Sequence, residues 1–375
     1  MWKIVVPGLA MIAVTYAFAR LSFGMFLPDI SNTLGLNASD GGLVGSVGYI
    51  SYSIALFFSS FAISRFGFKS VNEMAGLTAV VGLVGMATST SLLHLGAGVF
   101  IAGLGSGLAS PALSQMAYQT FTRTRVDQAN TWINSGTSFG IILTGPVVLL
   151  FTEHWRLSFF MFAIVAFVVT LWNKRIIPNA YENRHLDQTN VDWTSTLRNG
   201  WSLIAASVIV GISSSIYWTF SRSFVTEQYN MTANESVLFW IVVGAAGIIG
   251  GVAGGLIQKI GLSLSYRMIL VTLLSSVALL TVHTPLAIYT SPALFGGAYI
   301  FLTGLLIVWA TRTFAHLPAL GVSMSFLALG IGQSLGSSIA GMVIDISSYP
   351  FAFILFACVG VIGLFIPVKD TNDIP

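Results

Sequence analysis

Long apolar runs separated by short polar turns dominate this chain, and they leave few folds open to it. A helix needs about 20 residues to cross a hydrocarbon core of ~30 Å. Runs of that order occur near 4–28, 42–63, 71–90, 95–118, 129–151 and 157–173, and again near 200–225, 236–257, 266–283, 286–310, 318–343 and 349–367. In lipid each backbone N–H and C=O must find its partner inside the protein, which a helix achieves on its own. The expected fold is therefore an all-α membrane protein with about twelve transmembrane helices. Composition agrees: 55% of residues are hydrophobic and 8% charged, against roughly a quarter charged in a soluble domain.

The only long polar segment runs from Asn173 to Gly200 and carries Lys174, Arg175, Glu182, Arg184, Asp187, Asp192 and Arg198. It divides the chain into an expected N-terminal six-helix bundle (1–173), a linker (174–199) and a C-terminal six-helix bundle (200–375). Short loops rich in Lys and Arg stay on the cytoplasmic side. With the N-terminus inside, Lys3, Arg65, Lys69, Arg123, Arg125, Lys174, Arg175, Arg184, Arg198, Lys259, Arg267, Arg312 and Lys369 all fall in the cytoplasm, and only Arg156 lies in an outer loop. Both termini are then expected to be cytoplasmic. The formal charge of +3 is a topology signal, so the partner is the lipid bilayer and no nucleic acid is expected. Cys358, the single cysteine, lies in an apolar run and is expected to be a small buried hydrophobe.

A repeat joins the halves. Ser60-Phe61-Ala62-Ile63-Ser64-Arg65-Phe66-Gly67-Phe68-Lys69 follows span two, and Gly254-Gly255-Leu256-Ile257-Gln258-Lys259-Ile260-Gly261 follows span eight. In each a cation ends a helix, where the dipole favours it, and a glycine two positions later allows a tight turn. The first copy resembles the loop of the major facilitator superfamily, Gly-x-Leu-x-Asp-Arg-x-Gly-Arg/Lys-Arg/Lys: Arg65, Gly67 and Lys69 match, while Ser60 and Ser64 replace the first glycine and the aspartate. Further resemblances are Gly103-Leu104-Gly105-Ser106-Gly107 in span four, Gly145-Pro146 in span five and Trp155-Arg156-x-x-Phe159 before span six. The segments Tyr16–Gly24 and Phe239–Gly244 look like a bacterial branch of cyanate-permease-like and efflux-like members. The resemblance implies two pseudo-symmetric six-helix bundles around a central cavity, an inner (cytoplasmic) membrane location, and a monomeric carrier that works by alternating access. It also implies conformational roles for Arg65, Gly67, Lys69, Gly145 and Pro146.

Charge inside the spans is scarce, and an ionised group there costs roughly 2.5–3.5 kcal/mol on insertion scales, which makes it a functional candidate. Arg20 lies about 6 Å beyond the midpoint of span one, at 1.5 Å per residue. Tyr16, Arg20 and Phe23 share a helical face, and that face lines the cavity in the resembling family. Arg222, with Tyr217 and Trp218 before it, is the counterpart in span seven, about a turn nearer the outside. Asp29, Asp40, Glu153, Glu227, Glu235 and Asp345 fall at or beyond the outer ends of spans. Cations without buried acids make a positive site, and a planar guanidinium binds carboxylate or phosphate bidentately.

The expected substrate is accordingly a small organic anion, held by Arg20, Tyr16, Phe23, Tyr49, Tyr52, Tyr217, Trp218, Arg222 and Gln333. The plainer alternative has Arg20 pairing with Asp345 or Glu153 as an outer gate, Arg222 reaching the interface, and Gln333 bonding between helices. Proton coupling would need an edge carboxylate such as Asp29 or Asp345, both also expected to act in gating, or a proton carried by the substrate, and uniport or exchange is the alternative. Broad-specificity efflux and a flux-free sensor are the competing functions. The histidines His94, His154, His185, His283 and His316 stand at span ends or in loops without metal-ligand spacing, and no phosphate-binding loop follows a strand. No catalytic residue, metal or cofactor is expected.

Overall fold

A computed structural model describes residues 1–151, 154–179, 193–249, 257, 259–314 and 317–368, and among them all regular structure is helical. The helices are α1 (Trp2–Leu34), α2 (Ala38–Ala87), α3 (Leu92–Thr120), α4 (Arg123–Asn134), α5 (Gly136–Leu150), α6 (Trp155–Ile176), α7 (Trp193–Tyr229), α8 (Ala233–Ile249), α9 (Leu262–Leu279), α10 (Pro285–Thr313), α11 (Pro318–Ile346) and α12 (Tyr349–Val361). Nine helical stretches among the described residues are long and apolar enough to cross a membrane, α4 and α5 forming one of them; Ala233–Ile248 and Tyr349–Phe365 are shorter apolar helices. Phe61, Leu93, Phe160 and Phe365 are among many large apolar side chains left exposed on the outside of the bundle. Only lipid covers such a surface without cost.

Helix α2 has 50 residues, about 75 Å at 1.5 Å per residue, too long for one crossing. It breaks at Gly67, where φ is 77° and ψ 154°, a backbone that glycine reaches without a Cβ penalty. Gly103 of α3 lies against Gly48 and Ser51, and Gly107 against Tyr52 and Ala55, so the first arm runs parallel to α3. Gly98 lies against Gly85 and Met86, and Gly105 against Ala75, so the second arm runs antiparallel. The two arms are therefore the expected spans two and three. In the other half Gly261 takes nearly the same backbone, φ 82° and ψ 166°. The repeat read from the sequence thus recurs as one turn geometry, although Gly254, Gly255, Leu256 and Gln258 lie outside the described residues.

Two expectations change in detail. Helix α6 continues to Ile176 and α7 is helical from Trp193, so helix occupies both ends of the expected linker, whose centre lies outside the described residues. Cys358 is exposed rather than buried, since it sits on the outward face of α12, where an apolar environment is available without burial in protein.

The halves meet along α1 with α7, α2 with α11 and α5 with α8. At the end of the bundle away from the N-terminus, here the distal end, the backbones touch. A Cβ on Gly24 would stand 1.9 Å from the Trp218 carbonyl oxygen, one on Gly42 2.5 Å from that of Ser337, and one on Gly341 2.3 Å from that of Ala38. Small residues permit this approach, and membrane helices use it in place of hydrophobic burial. Polar contacts follow the same face of α11: Ser334 Oγ lies 2.8 Å from Ser46 Oγ, and Ser337 Oγ donates to the Gly42 carbonyl at 3.0 Å. Asp345 then accepts from the backbone N–H groups of Ala38 and Ser39 at 3.0 and 2.8 Å. These two amides open α2, so the carboxylate caps a helix of the opposite half, at its positive end.

The methyl group of Gly24→Ala meets backbone rather than a flexible side chain, so α1 and α7 must separate. The expected cost is about 1–3 kcal/mol, as for other overpacking changes. In a Cys358→Ser background, Ser46→Cys should react slowly with a maleimide in detergent and markedly faster once Gly24→Ala is added. Equal rates would show that the crossing is not this tight.

Candidate functional site

Helix α1 is not a regular α-helix in the middle. Residues Ala13–Leu21 form a π-helical stretch, a geometry that is rare and concentrated at functional sites. Back-bonding by hydroxyls marks both its ends: Thr15 Oγ1 donates to the Met11 carbonyl at 2.8 Å and Ser22 Oγ to that of Phe18. The stretch carries Tyr16 and Arg20 on its inner face, and Phe18 packs the other way, stacked on Phe162 of α6 with centroids 4.4 Å apart. Arg20 is thereby aimed between the halves.

The Arg20 guanidinium lies over three tyrosine rings, 3.9 Å from the centroid of Tyr52, 4.9 Å from Tyr49 and 5.8 Å from Tyr16. A ring face attracts a cation by roughly 0.5–2 kcal/mol, more as water is excluded. Arg20 Nη2 donates to Gln333 Oε1 of α11 at 2.8 Å, and Gln333 Nε2 donates to the Tyr299 hydroxyl of α10 at 2.9 Å. Gln333 is fully buried. Arg20 Nε is buried as well and has no hydrogen-bond partner. Ring stacking covers the flat faces of a guanidinium and leaves its N–H edge free to bind an acid.

Tyr16, Arg20 and Tyr299 stay partly exposed. On their distal side Arg20, Phe23, Gly24, Gly45, Tyr49, Trp218 and Thr219 enclose a void of about 10 Å³, room for one water molecule. Beyond the seal a vestibule of about 450 Å³ opens at the distal end, lined by Ser31, Asn37, Glu227, Asp345 and Tyr349 among others. There Tyr349 donates to Glu227 at 3.0 Å.

Of the residues expected to form one site, the structure gathers Tyr16, Arg20, Phe23, Tyr49, Tyr52, Trp218 and Gln333. It does not bring Tyr217 or Arg222 to them. Tyr217 is fully buried in the C-terminal half, 3.8 Å centroid to centroid from Phe295 and hydrogen-bonded to Ser291 at 2.8 Å. Neighbouring helix positions diverge by about 100°, so Trp218 can face the seam while Tyr217 faces its own bundle. Arg222 pairs with Asp29 at 2.5 Å, also donates to the Met25 carbonyl, and holds Ser236 Oγ at 3.2 Å. Its charge is answered across the seam at the distal seal, with Asp29 as the partner from α1. Arg20 takes Gln333, not Asp345, as its partner, and Glu153 lies outside the described residues. Tyr299 was not anticipated. A tyrosine near the middle of span ten was the available signal, and its ring also packs edge-on to Trp218 at 5.1 Å.

The residues expected to act in conformational change are spread around this centre. Gly145 packs on Ile241 and Val237 of α8, with Pro146 next to it inside α5. Arg65 is exposed and Lys69 partly exposed beside the Gly67 break. Glu73, near that loop, pairs with Lys174 at 3.8 Å. Among the described residues no group of three or more His, Cys, Asp or Glu is placed to hold a metal.

The sequence profile of the Major Facilitator Superfamily matches residues 9–320. The uncharacterized MFS-type transporter YcaD of Salmonella heidelberg (strain SL476) is 26% identical over 346 residues, covering 89% of this chain and 87% of that protein. The hexuronate transporter of Bacillus subtilis (strain 168) is 24% identical over 393 residues, covering 93% and 91%. Among solved structures, a mutant of the nucleoside transporter NupG superposes with a TM-score of 0.81 at 14% identity, over 96% of this chain and 98% of that one.

Asp29→Asn leaves the Arg222 guanidinium, 3% exposed, without its counter-charge. Breaking a fully buried pair costs about 3–5 kcal/mol, and the 30% exposure of Asp29 discounts this to about 1–3 kcal/mol. Thermal unfolding in detergent should show that loss, and Asp29→Asn combined with Arg222→Met should recover most of it. An unchanged midpoint for Asp29→Asn would remove the pair from the seal.

Proposed function

The chain belongs to the Major Facilitator Superfamily, and we propose that it carries a small organic anion by alternating access, with Arg20 as the group that receives the anion. That the chain is a membrane transporter and not an enzyme follows from the family; the substrate class is the further step. One observation carries it: Arg20 is held midway along the seam between the halves by aromatic faces and a neutral amide, and among the described residues no carboxylate pairs with it. A cation so placed in a low-dielectric site keeps its attraction for a mobile anion. Tyr16, Tyr49, Tyr52 and Tyr299 add hydroxyls and ring faces suited to a solute that is part polar and part apolar.

The hexuronate carrier among the relatives supports this reading, because a hexuronate is a sugar with one carboxylate and several hydroxyls. A place in the cyanate-permease-like branch would agree too, since cyanate is a small anion. The loop charges favour a cytoplasmic N-terminus, and with that orientation the distal end of the seam is the outer one. Asp29, which bridges the halves through Arg222, is the carboxylate to which we assign proton coupling.

Purified protein should be stabilised against heat by D-glucuronate or short monocarboxylates, because a ligand stabilises the state it binds, and not by the matching uncharged amides. Arg20→Gln should raise the acid concentration needed for this response at least about thirtyfold, the usual consequence of removing one member of a desolvated charge pair. Equal stabilisation by acids and amides, or a full response in Arg20→Gln, would contradict the proposal.

A further inference from the structure

The edge of Arg20 that meets Gln333 is incomplete. Nε and Nη2 lie on the same side of a guanidinium and form a fork that accepts two oxygens in parallel. Here Nη2 is occupied by Gln333 Oε1 while Nε, buried, has nothing. An amide offers one oxygen, and its other atom is a donor that a cation repels. In this case that nitrogen is turned away, to Tyr299. A buried donor without a partner costs about 1–3 kcal/mol, so the fork is half filled and poised for a better occupant. A carboxylate presents two oxygens at the spacing the fork requires.

We infer that Gln333 is a built-in stand-in for the transported acid, occupying one position of a two-position carboxylate fork on Arg20 until the acid displaces it and fills both. This rests on the reading of Arg20 as the anion site and adds two things to it. The acid binds side-on, to Nε and Nη2. The empty carrier is also not left with a bare cation at its centre, because Gln333 from the opposite half partly satisfies Arg20.

The second point bears on transport. A carrier whose empty site holds an unsolvated charge reorients slowly and works chiefly as an exchanger. With Gln333 in place the cation of the empty site is partly satisfied, so the unloaded protein returns and net movement follows. Gln333→Leu removes the stand-in and leaves the receiving group, and should slow the empty return step selectively. Gln333→Glu places a tethered carboxylate on the fork, and should satisfy Arg20 permanently and exclude the solute.

The experiment has one arm without solute and one with it. In detergent, without solute, Gln333→Glu should raise the unfolding midpoint by a few degrees and Gln333→Leu should lower it. The rise should vanish when Arg20→Gln is combined with Gln333→Glu, since the coupling belongs to the pair. In proteoliposomes, with labelled D-glucuronate or the short monocarboxylate that best stabilises the wild type as the probe, Gln333→Leu should lose less counterflow than net uptake. Its net uptake should fall roughly tenfold, which corresponds to about 1.4 kcal/mol. Gln333→Glu should lose both.

A wild type that answers to acids, combined with a destabilised Gln333→Glu or with equal losses of counterflow and net uptake in Gln333→Leu, overturns the stand-in and leaves the anion site intact. A wild type that no acid stabilises overturns both, and is told apart by its indifference before any Gln333 variant is made.

Discussion

A guanidinium cannot be left bare in the interior of a membrane bundle, and how Arg20 is accommodated organises the centre of this molecule. The usual remedy is a carboxylate, which would cancel the charge and fix the pair. Here the remedy is weaker and more divided: three aromatic faces from the same half, one amide oxygen from the other, and partial access to solvent. The charge is tolerated without being neutralised. The second buried arginine shows the contrast, since Arg222 has its aspartate and belongs to the seal.

Around that centre the seam is built to come apart. The contacts between α2 and α11 are backbone touching backbone at glycines and neutral hydroxyl pairs such as Ser46 with Ser334. Each is worth about 1 kcal/mol or less, so the set holds one arrangement without making it permanent. Stronger contacts lie at the distal rim, where Asp29 meets Arg222 and Asp345 caps the start of α2, and at the centre, where Arg20 donates to Gln333. The order along the seam is thus a site, a narrow void, a strip of small residues and a charged rim.

Much of this was legible in the sequence because lipid imposes strict rules. The all-helical membrane fold and the repeated turn at Gly67 and Gly261 follow from hydropathy and from glycine chemistry, and the backbone angles at both glycines agree. Arg20 and the face with Tyr16 could be picked out because charge in a span is rare. What could not be read was direction and partner. Tyr217 and Trp218 are neighbours of similar size, and only packing decides which one faces the seam. Arg222 resembles Arg20 in sequence, yet Asp29 sits within reach across α1, a pairing between residues 193 positions apart. The π-helical stretch leaves little trace in the pattern, because positions four apart still share a face in it.

Whether a mobile acid group docks on Arg20 is tested most directly by a structure with solute bound. Density for an acid group should then lie within hydrogen-bonding distance of Arg20 Nε and Nη2, inside the cage of Tyr16, Tyr49 and Tyr52, with the Gln333 amide moved off the guanidinium. Solute bound elsewhere in the seam, with the Arg20 to Gln333 hydrogen bond intact, would contradict it.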